Sequence, residues 1–188
     1  MNAALWIYIY NGIMRNLMKY IVLSAAAALA ASASVPAFAQ DGEPFTGPRA
    51  GITMGFDKIQ GDEGFSYGVN AGYDIGVAPR ITIGPEVTLG DATTDSATTD
   101  VSRDLTASVR AGYVVTPKVL AFAKVGYTNT RFEPVAGGNY SLEGVRYGGG
   151  LEYAVTPKTY ISAEYQRTEY ESNFGGRDAG VVGIGYRF

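Results

Sequence analysis

The sequence contains no cysteine and no histidine among its 188 residues. Without cysteine there is no disulfide, no thiol nucleophile and no thiolate metal ligand. Without histidine the chain lacks the commonest general base and metal ligand at neutral pH, which argues against an enzyme. Long apolar runs are also missing, since none after residue 40 approaches the roughly 20 residues that a membrane-spanning helix needs. If the chain lies in a membrane, it crosses as strands.

The amino-terminal segment has the pattern of a secretory signal peptide. Arg15 and Lys19 form a short basic region, and residues 20–31 form an apolar run. Val35-Pro-Ala-Phe-Ala39 provides a small-residue cleavage site, so cleavage is expected after Ala39. A retained membrane anchor is the alternative, but the apolar run is short.

Cleavage would divide the chain into a signal peptide at 1–39 and a mature domain at 40–188. An extra apolar patch precedes the basic region, so we expect the start to be over-long, with Met14 or Met18 as the true first residue. The leader contains two of the 15 basic residues and none of the 18 acidic ones, which leaves the mature domain 13 against 18 and a net charge of −5. This charge gives no indication of nucleic-acid binding.

Beyond a polar leader at 40–48, apolar residues alternate with small or polar ones, which is typical of β-strands with one apolar face. The clearest example is 65–75, where six apolar positions alternate with five small or polar ones. Leu120 and Phe122 interrupt this pattern and are expected to face inward. Pro85 predicts a bulge or a local loss of pairing. The eight predicted strands contain Arg49, Phe65, Ile81, Arg103, Val119, Val145, Ile161 and Gly180.

The connections between these strands alternate in length. Short proline turns are predicted at 77–80, 115–118 and 155–158, and longer polar loops at 58–64, 90–102, 131–143 and 171–177. An outer-membrane barrel distributes its periplasmic turns and extracellular loops in this way. The sequence therefore predicts an all-β fold, an eight-stranded antiparallel up-and-down transmembrane β-barrel, monomeric and with both termini periplasmic.

The alternating strands, the two Val-Thr-Pro-Lys turns and the terminal Tyr186-Arg187-Phe188 resemble a known family. It is the small outer-membrane β-barrel family of Gram-negative bacteria, the porin-family or opacity-protein-like group related to the OmpA-type barrel, here without the periplasmic domain. The resemblance covers nearly all of 40–188 and implies export to the cell outer membrane. In that family the barrel-assembly machinery recognises the carboxyl-terminal aromatic strand. The resemblance carries this assembly signal onto Val182, Ile184, Tyr186 and Phe188.

The inward positions of the predicted strands collect five basic and five acidic residues. They are Arg49, Arg110, Lys124, Arg146 and Arg187, with Asp57, Asp74, Glu86, Glu152 and Glu164. We expect these charges to form a neutral lumen network, because a buried charge without a partner costs several kcal/mol. A very narrow ion path is the alternative. An eight-stranded barrel has an interior that side chains fill, which excludes large solutes.

Aromatic residues fall near the two ends of the predicted strands. The group beside the short turns is Tyr73, Tyr113, Tyr153, Tyr186 and Phe188, and the group near the long loops is Phe56, Phe65 and Tyr127. Two girdles at the membrane interfaces explain this distribution. A platform for stacking carbohydrate is the alternative.

Four acidic residues, Asp91, Asp95, Asp100 and Asp104, lie in or beside the predicted loop at 90–102. Their spacing does not match a calcium-binding loop. We expect a solvated loop there, and neither a metal nor a cofactor.

These observations predict an outer-membrane protein with a structural or surface-interaction role and no enzymatic activity. The expected partners are membrane lipid, the barrel-assembly machinery and an extracellular ligand reached through the loops. A low-conductance porin-like channel for small ions or solutes is the first alternative. A secreted soluble barrel or sandwich is the second, which the aromatic residues at the strand ends disfavour.

Overall fold

The computed structural model describes residues 45–59, 62–96, 99–134, 140–170 and 176–188, so the predicted signal peptide and its cleavage site lie outside the described residues. The strands are β1 (Gly47–Ile59), β2 (Asp62–Ala78), β3 (Ile81–Ser96), β4 (Thr99–Thr116), β5 (Val119–Pro134), β6 (Tyr140–Ala154), β7 (Thr159–Tyr170) and β8 (Gly176–Arg187). Each strand pairs antiparallel with the next, and β8 pairs with β1. The predicted eight-stranded antiparallel barrel is confirmed. Across the described ranges no helix has the length and apolar character to cross a membrane.

The alternation of side chains gives this barrel an apolar outside and a polar inside. Val69, Val109, Leu151 and Ile184 each expose about half of their surface, while the positions between them point into the lumen. The predicted closure is also observed, with Ile184 of β8 opposite Ile52 of β1. An apolar outer wall of this kind matches a lipid surrounding.

The segment 90–102 was predicted to be a long polar loop, and this prediction is wrong for most of it. β3 continues to Ser96 and β4 begins at Thr99. Threonine is frequent in this part of the sequence, and β-branched residue types favour strands. The strands also satisfy one another's backbone hydrogen bonds as they extend.

The other three long connections were also predicted to be longer than they are. β1 extends to Ile59 and β2 begins at Asp62, β5 extends to Pro134 and β6 begins at Tyr140, and β8 begins at Gly176. Polarity indicates exposure to water but does not end a strand whose neighbour still pairs with it. As a result Arg177, which was placed in a loop, is a strand residue.

Pro85 interrupts one ladder without shifting its register. Gly72 lies opposite Glu86 and Ile75 opposite Ile83, which is the same register on both sides of the proline. Pro85 itself pairs with Val109 on the other side. Of the two outcomes predicted for this proline, the structure has the local loss of pairing, because proline has no N–H to donate.

Phe45 is buried at the end of the lumen that lies beside the short turns. It belongs to the predicted polar leader, yet its side chain is buried with Val114 and Leu120. Its φ of +73° is uncommon for a residue other than glycine, and its carbonyl accepts a hydrogen bond of 2.9 Å from Nη1 of Arg187. Leu120 and Phe122 are buried, as predicted. A small apolar cluster therefore packs at this end of a mostly polar interior.

Candidate functional site in the barrel lumen

Eight charged side chains meet in the half of the lumen nearest the short turns, one from each strand. We call them the turn-side cluster, which in order from β1 to β8 is Arg49, Asp74, Glu86, Arg110, Lys124, Glu152, Glu164 and Arg187. Their side chains are at most 9% exposed. Four are basic and four acidic, so the cluster is neutral and reaches every wall of the barrel.

Asp74 is the hub of the turn-side cluster. Its Oδ2 lies 2.9 Å from Nε of Arg49, 3.1 Å from Nη1 of Arg110 and 3.0 Å from Nη1 of Arg187. Three guanidinium groups from β1, β4 and β8 thus converge on one carboxylate of β2. Because the Asp74 side chain is only 1% exposed, little water is present to replace its carboxylate as a partner for these cations.

Glu152 joins two of the same arginines from the opposite wall. Its two carboxylate oxygens each lie 2.7 Å from a guanidinium nitrogen, one of Arg110 and one of Arg187. The Arg110 guanidinium also lies 4.0 Å from the centroid of the Phe122 ring, a cation–π contact that is favourable in a desolvated site. Phe122, whose side chain points into the lumen, therefore stabilises the charge network through its contact with Arg110.

A second arm of the cluster runs from Arg49 to β7. Nη2 of Arg49 lies 2.7 Å from Glu86, although this nitrogen lacks hydrogen-bond geometry. Nζ of Lys124 bridges Glu86 at 2.9 Å and Glu164 at 2.7 Å. Through these contacts all eight charges form one connected network.

A separate loop-side cluster lies toward the other end of the lumen and consists of Asp57, Asp104, Arg146 and Arg177. Arg177 connects the two carboxylates, at 2.5 Å from Asp57 and 3.1 Å from Asp104. Arg146 lies 2.5 Å from Asp104. Two cations and two anions make this cluster neutral as well.

Buried threonine hydroxyls complete the loop-side cluster. Thr128 donates a hydrogen bond of 2.6 Å to Asp104, and Arg146 donates to Thr106 at 2.9 Å and to Thr168 at 2.8 Å. Polar groups that leave water must recover their hydrogen bonds inside the protein. The threonines provide hydrogen bonds to Asp104 and Arg146 in addition to their ion pairs.

The ten lumen charges taken from the sequence therefore separate into two groups. Asp57 and Arg146 belong to the loop-side cluster, with Asp104 and Arg177, which sequence analysis missed. The expectation that Asp104 is solvated is wrong, since it is only 6% exposed. The spacing in the sequence indicates that both residues face the lumen. Asp104 precedes Arg110 by six residues and Arg177 precedes Arg187 by ten, and even intervals along a strand place residues on the same face.

Little space remains between the charged groups. A cavity of about 50 Å³ beside the loop-side cluster is lined in part by Thr53, Thr88 and Gln166, and one of about 10 Å³ lies beside the turn-side cluster. A cavity needs a volume of roughly 10–15 Å³ to hold one water molecule. These two cavities have room for a few waters and no organic solute. A larger pocket of about 550 Å³ opens beside the short turns and reaches Glu152 and Arg187 of the turn-side cluster. Within the described ranges no cluster of three or more acidic groups could hold a metal ion.

The outer wall carries tyrosines at the end opposite the short turns. Four of their hydroxyls donate to carboxylates on the next strand: Tyr67 to Asp91 (3.3 Å), Tyr127 to Glu143 (3.0 Å), Tyr147 to Glu169 (3.5 Å) and Tyr165 to Asp178. A tyrosine places an apolar ring and a polar hydroxyl at the same boundary. The pairs indicate where the apolar wall meets water.

The outward face of β8 is apolar as far as the carboxyl end. Val182, Ile184, Tyr186 and Phe188 are 54%, 49%, 42% and 69% exposed. The rings of Tyr186 and Phe188 pack edge to face with their centroids 5.1 Å apart. These four residues form a continuous surface beside β1.

The profile of the family described as "Outer membrane protein beta-barrel domain" matches residues 25–188 of the sequence. No curated protein matches the chain. Among solved structures, Ail, the attachment invasion locus protein of Yersinia pestis, is 16% identical with a TM-score of 0.57, over 76% of this chain and 97% of that one.

Two further barrels resemble the structure. Neisserial surface protein A is 19% identical with a TM-score of 0.54, over 75% of this chain and 96% of its own. The N-terminal β-barrel domain of Pseudomonas aeruginosa OprF is 17% identical with a TM-score of 0.53, over 76% and 99%. At these identities the likeness is one of fold.

Proposed function

Because this chain belongs to the outer membrane protein β-barrel domain family, we propose that it is a structural or surface-interaction protein of the bacterial envelope, with no enzymatic activity. It lies in the outer membrane with its apolar wall against lipid. The observation that carries the proposal is the turn-side cluster, in which one charge from every strand joins a neutral network. Such a network cross-links the barrel and fills its cross-section.

The proposal includes an orientation and a route of export. The leader at 1–39 is removed during secretion, and the short turns face the periplasm. The longer connections then face outward, where they can contact an extracellular ligand. The outward carboxylates beside Tyr67, Tyr127, Tyr147 and Tyr165 support this orientation, since they put polar groups at the end with the longer connections. The barrel acts as a monomer.

Deletion and complementation test the proposed role. Cells without the protein should take up more of an impermeant dye or bind less well to the surface that the species colonises, and the wild-type chain should restore the lost property. As a control, complementation with an unrelated outer-membrane barrel at equal abundance should not restore it. Unchanged permeability together with unchanged surface binding would contradict the proposal.

A low-conductance channel is the second candidate. It is favoured by the polar lining of the lumen and by the 50 Å³ cavity. Conduction would require the turn-side cluster to separate and Phe45 to leave its site.

We also propose that the outward face of β8 is the signal for the barrel-assembly machinery. Phe188 is its most exposed member and lies in contact with Tyr186. Replacing Phe188 with glutamate should lower the amount of protein in the outer membrane severalfold, because the terminal aromatic group is lost. Quantitative fractionation measures this effect, with Phe188→Tyr as the matched control.

Refolding in detergent separates assembly from stability. The Phe188→Glu protein should still refold and show heat-modifiable gel migration, because its side chain makes no lumen contact. Normal outer-membrane levels of this variant would refute the assembly role.

A further inference from the structure

A groove of about 690 Å³ crosses the lipid-facing wall on β8, β1, β2 and β3. Its floor includes Ala50 and Ala71, which lie opposite each other in the β1–β2 ladder. Larger side chains, including Ile52, Leu89 and Tyr186, form its walls. Two facing alanines among larger apolar residues produce the depression.

A cation stands at the end of this groove beside the short turns. Nζ of Lys158 lies 5.9 Å from the centroid of the Tyr186 ring, and Tyr186 lines the groove. The ammonium group is thus placed over the outer wall. In the described part of the chain, the lysines that form salt bridges are Lys58 and Lys124, so Lys158 keeps its charge available.

The same sequence pattern occurs in all three short turns. Each has valine, one small or polar residue, proline and then a cation, at 77–80, 115–118 and 155–158. The three valines are about half exposed, and no acidic residue occurs in the turns. The rim beside the turns therefore joins apolar surface to positive charge, which suits a lipid with an anionic head group.

We propose that the groove binds one anionic glycerophospholipid, with an acyl chain along Ala50 and Ala71 and its phosphate at Lys158. The proposal uses the orientation given above, which places the turns in the periplasmic leaflet. Lipid tails are as apolar as the groove, so burial alone gives no preference for one lipid over another. The shape of the groove holds the acyl chain, and Lys158 provides the selectivity for an anionic head group.

Tryptophan quenching by brominated lipids tests this site. Leu89→Trp reports from the groove, and Leu151→Trp reports from an equally apolar outward position on β6. The sequence contains one tryptophan, Trp6, which belongs to the leader proposed above to be removed, so the mature protein has no native tryptophan signal. The variants are placed in phosphatidylcholine vesicles that contain an equal fraction of brominated phosphatidylglycerol or brominated phosphatidylcholine.

At the groove, the apparent binding ratio should favour phosphatidylglycerol by about fivefold, the contribution of one lysine near an anionic head group. The ratio should be close to one at Leu151→Trp. Adding Lys158→Gln should abolish the preference at the groove, whereas adding Lys118→Gln should leave it. Gel migration before and after heating verifies that each variant is folded.

Equal quenching by the two lipids at Leu89→Trp would overturn the proposal. A preference that survives Lys158→Gln would also overturn it. Cross-linking between copies through the groove, with loss of quenching by either lipid, would instead identify a second copy of the chain as the occupant. The Leu89→Trp and Leu151→Trp variants test the groove without any measurement on cells. Failure of the lipid-site proposal can therefore be distinguished from failure of the proposed envelope role.

Discussion

Replacing Asp74 with alanine should lower the free energy of unfolding by about 3–5 kcal/mol, the cost of removing one partner from a buried ion pair. The carboxylate contacts Arg49, Arg110 and Arg187 at 2.9, 3.1 and 3.0 Å. Without it, three guanidinium groups share a nearly dry space and repel one another. Urea unfolding in lipid vesicles, followed by the loss of heat-modifiable migration, measures the change.

The exposed pair Lys58 and Glu63 provides the control for the Asp74 variant. Its side chains are 57% and 75% exposed with a separation of 3.3 Å. Surface pairs of this kind contribute about 0–1 kcal/mol, so Lys58→Gln should have little effect. A loss of less than about 1 kcal/mol for Asp74→Ala would show that the cluster does not stabilise the barrel.

Arginine in place of Val109 should cost about 2–4 kcal/mol, because a cation is then forced onto the lipid face near the middle of the membrane. Val109 is 51% exposed on the outer wall and lies opposite Val125 of the next strand. On the same strand, Tyr113 lies nearer the turns and Arg103 nearer the opposite end. Equilibrium refolding into vesicles measures this cost.

Val115→Arg is the matched control on the same strand. Val115 is 46% exposed beside a short turn, where an arginine reaches the interface and costs about 0–1 kcal/mol. Equal costs at the two positions would contradict the placement of Val109 near the membrane centre. A stabilising Val109→Arg substitution would contradict a lipid-facing wall altogether.

The strands and their faces could be predicted because they depend on a local pattern. Period-two alternation from Phe65 to Ile75 determines which side chains point outward, and the structure agrees. The proline turns at 115–118 and 155–158 were also predicted, since proline restricts the chain locally. These features need no knowledge of distant residues.

The strand ends and the partners of each charge depend on the assembled barrel. Arg177 lies in a polar stretch that pairs only when its neighbours extend beside it, so composition alone indicates a loop. Asp104 belongs to the fourth predicted strand, but its partner Arg177 does not, so the pair could not be predicted. Arg187 meets Asp74 across 113 positions of sequence. Asp57 and Arg146 are separate from the other eight charges because they lie near the loop-side ends of β1 and β6. Phe45 is buried for a similar reason, because its site consists of β4 and β5 residues.

Single-channel recording in planar bilayers tests most directly the claim that the lumen is sealed. Purified wild-type protein, inserted and verified as folded, should produce no discrete current steps above the baseline. The turn-side cluster fills the lumen. Phe45 and Leu120 pack together at the end of the lumen beside the short turns. Stable unitary steps of reproducible size from the wild-type barrel would contradict a sealed interior and favour the channel.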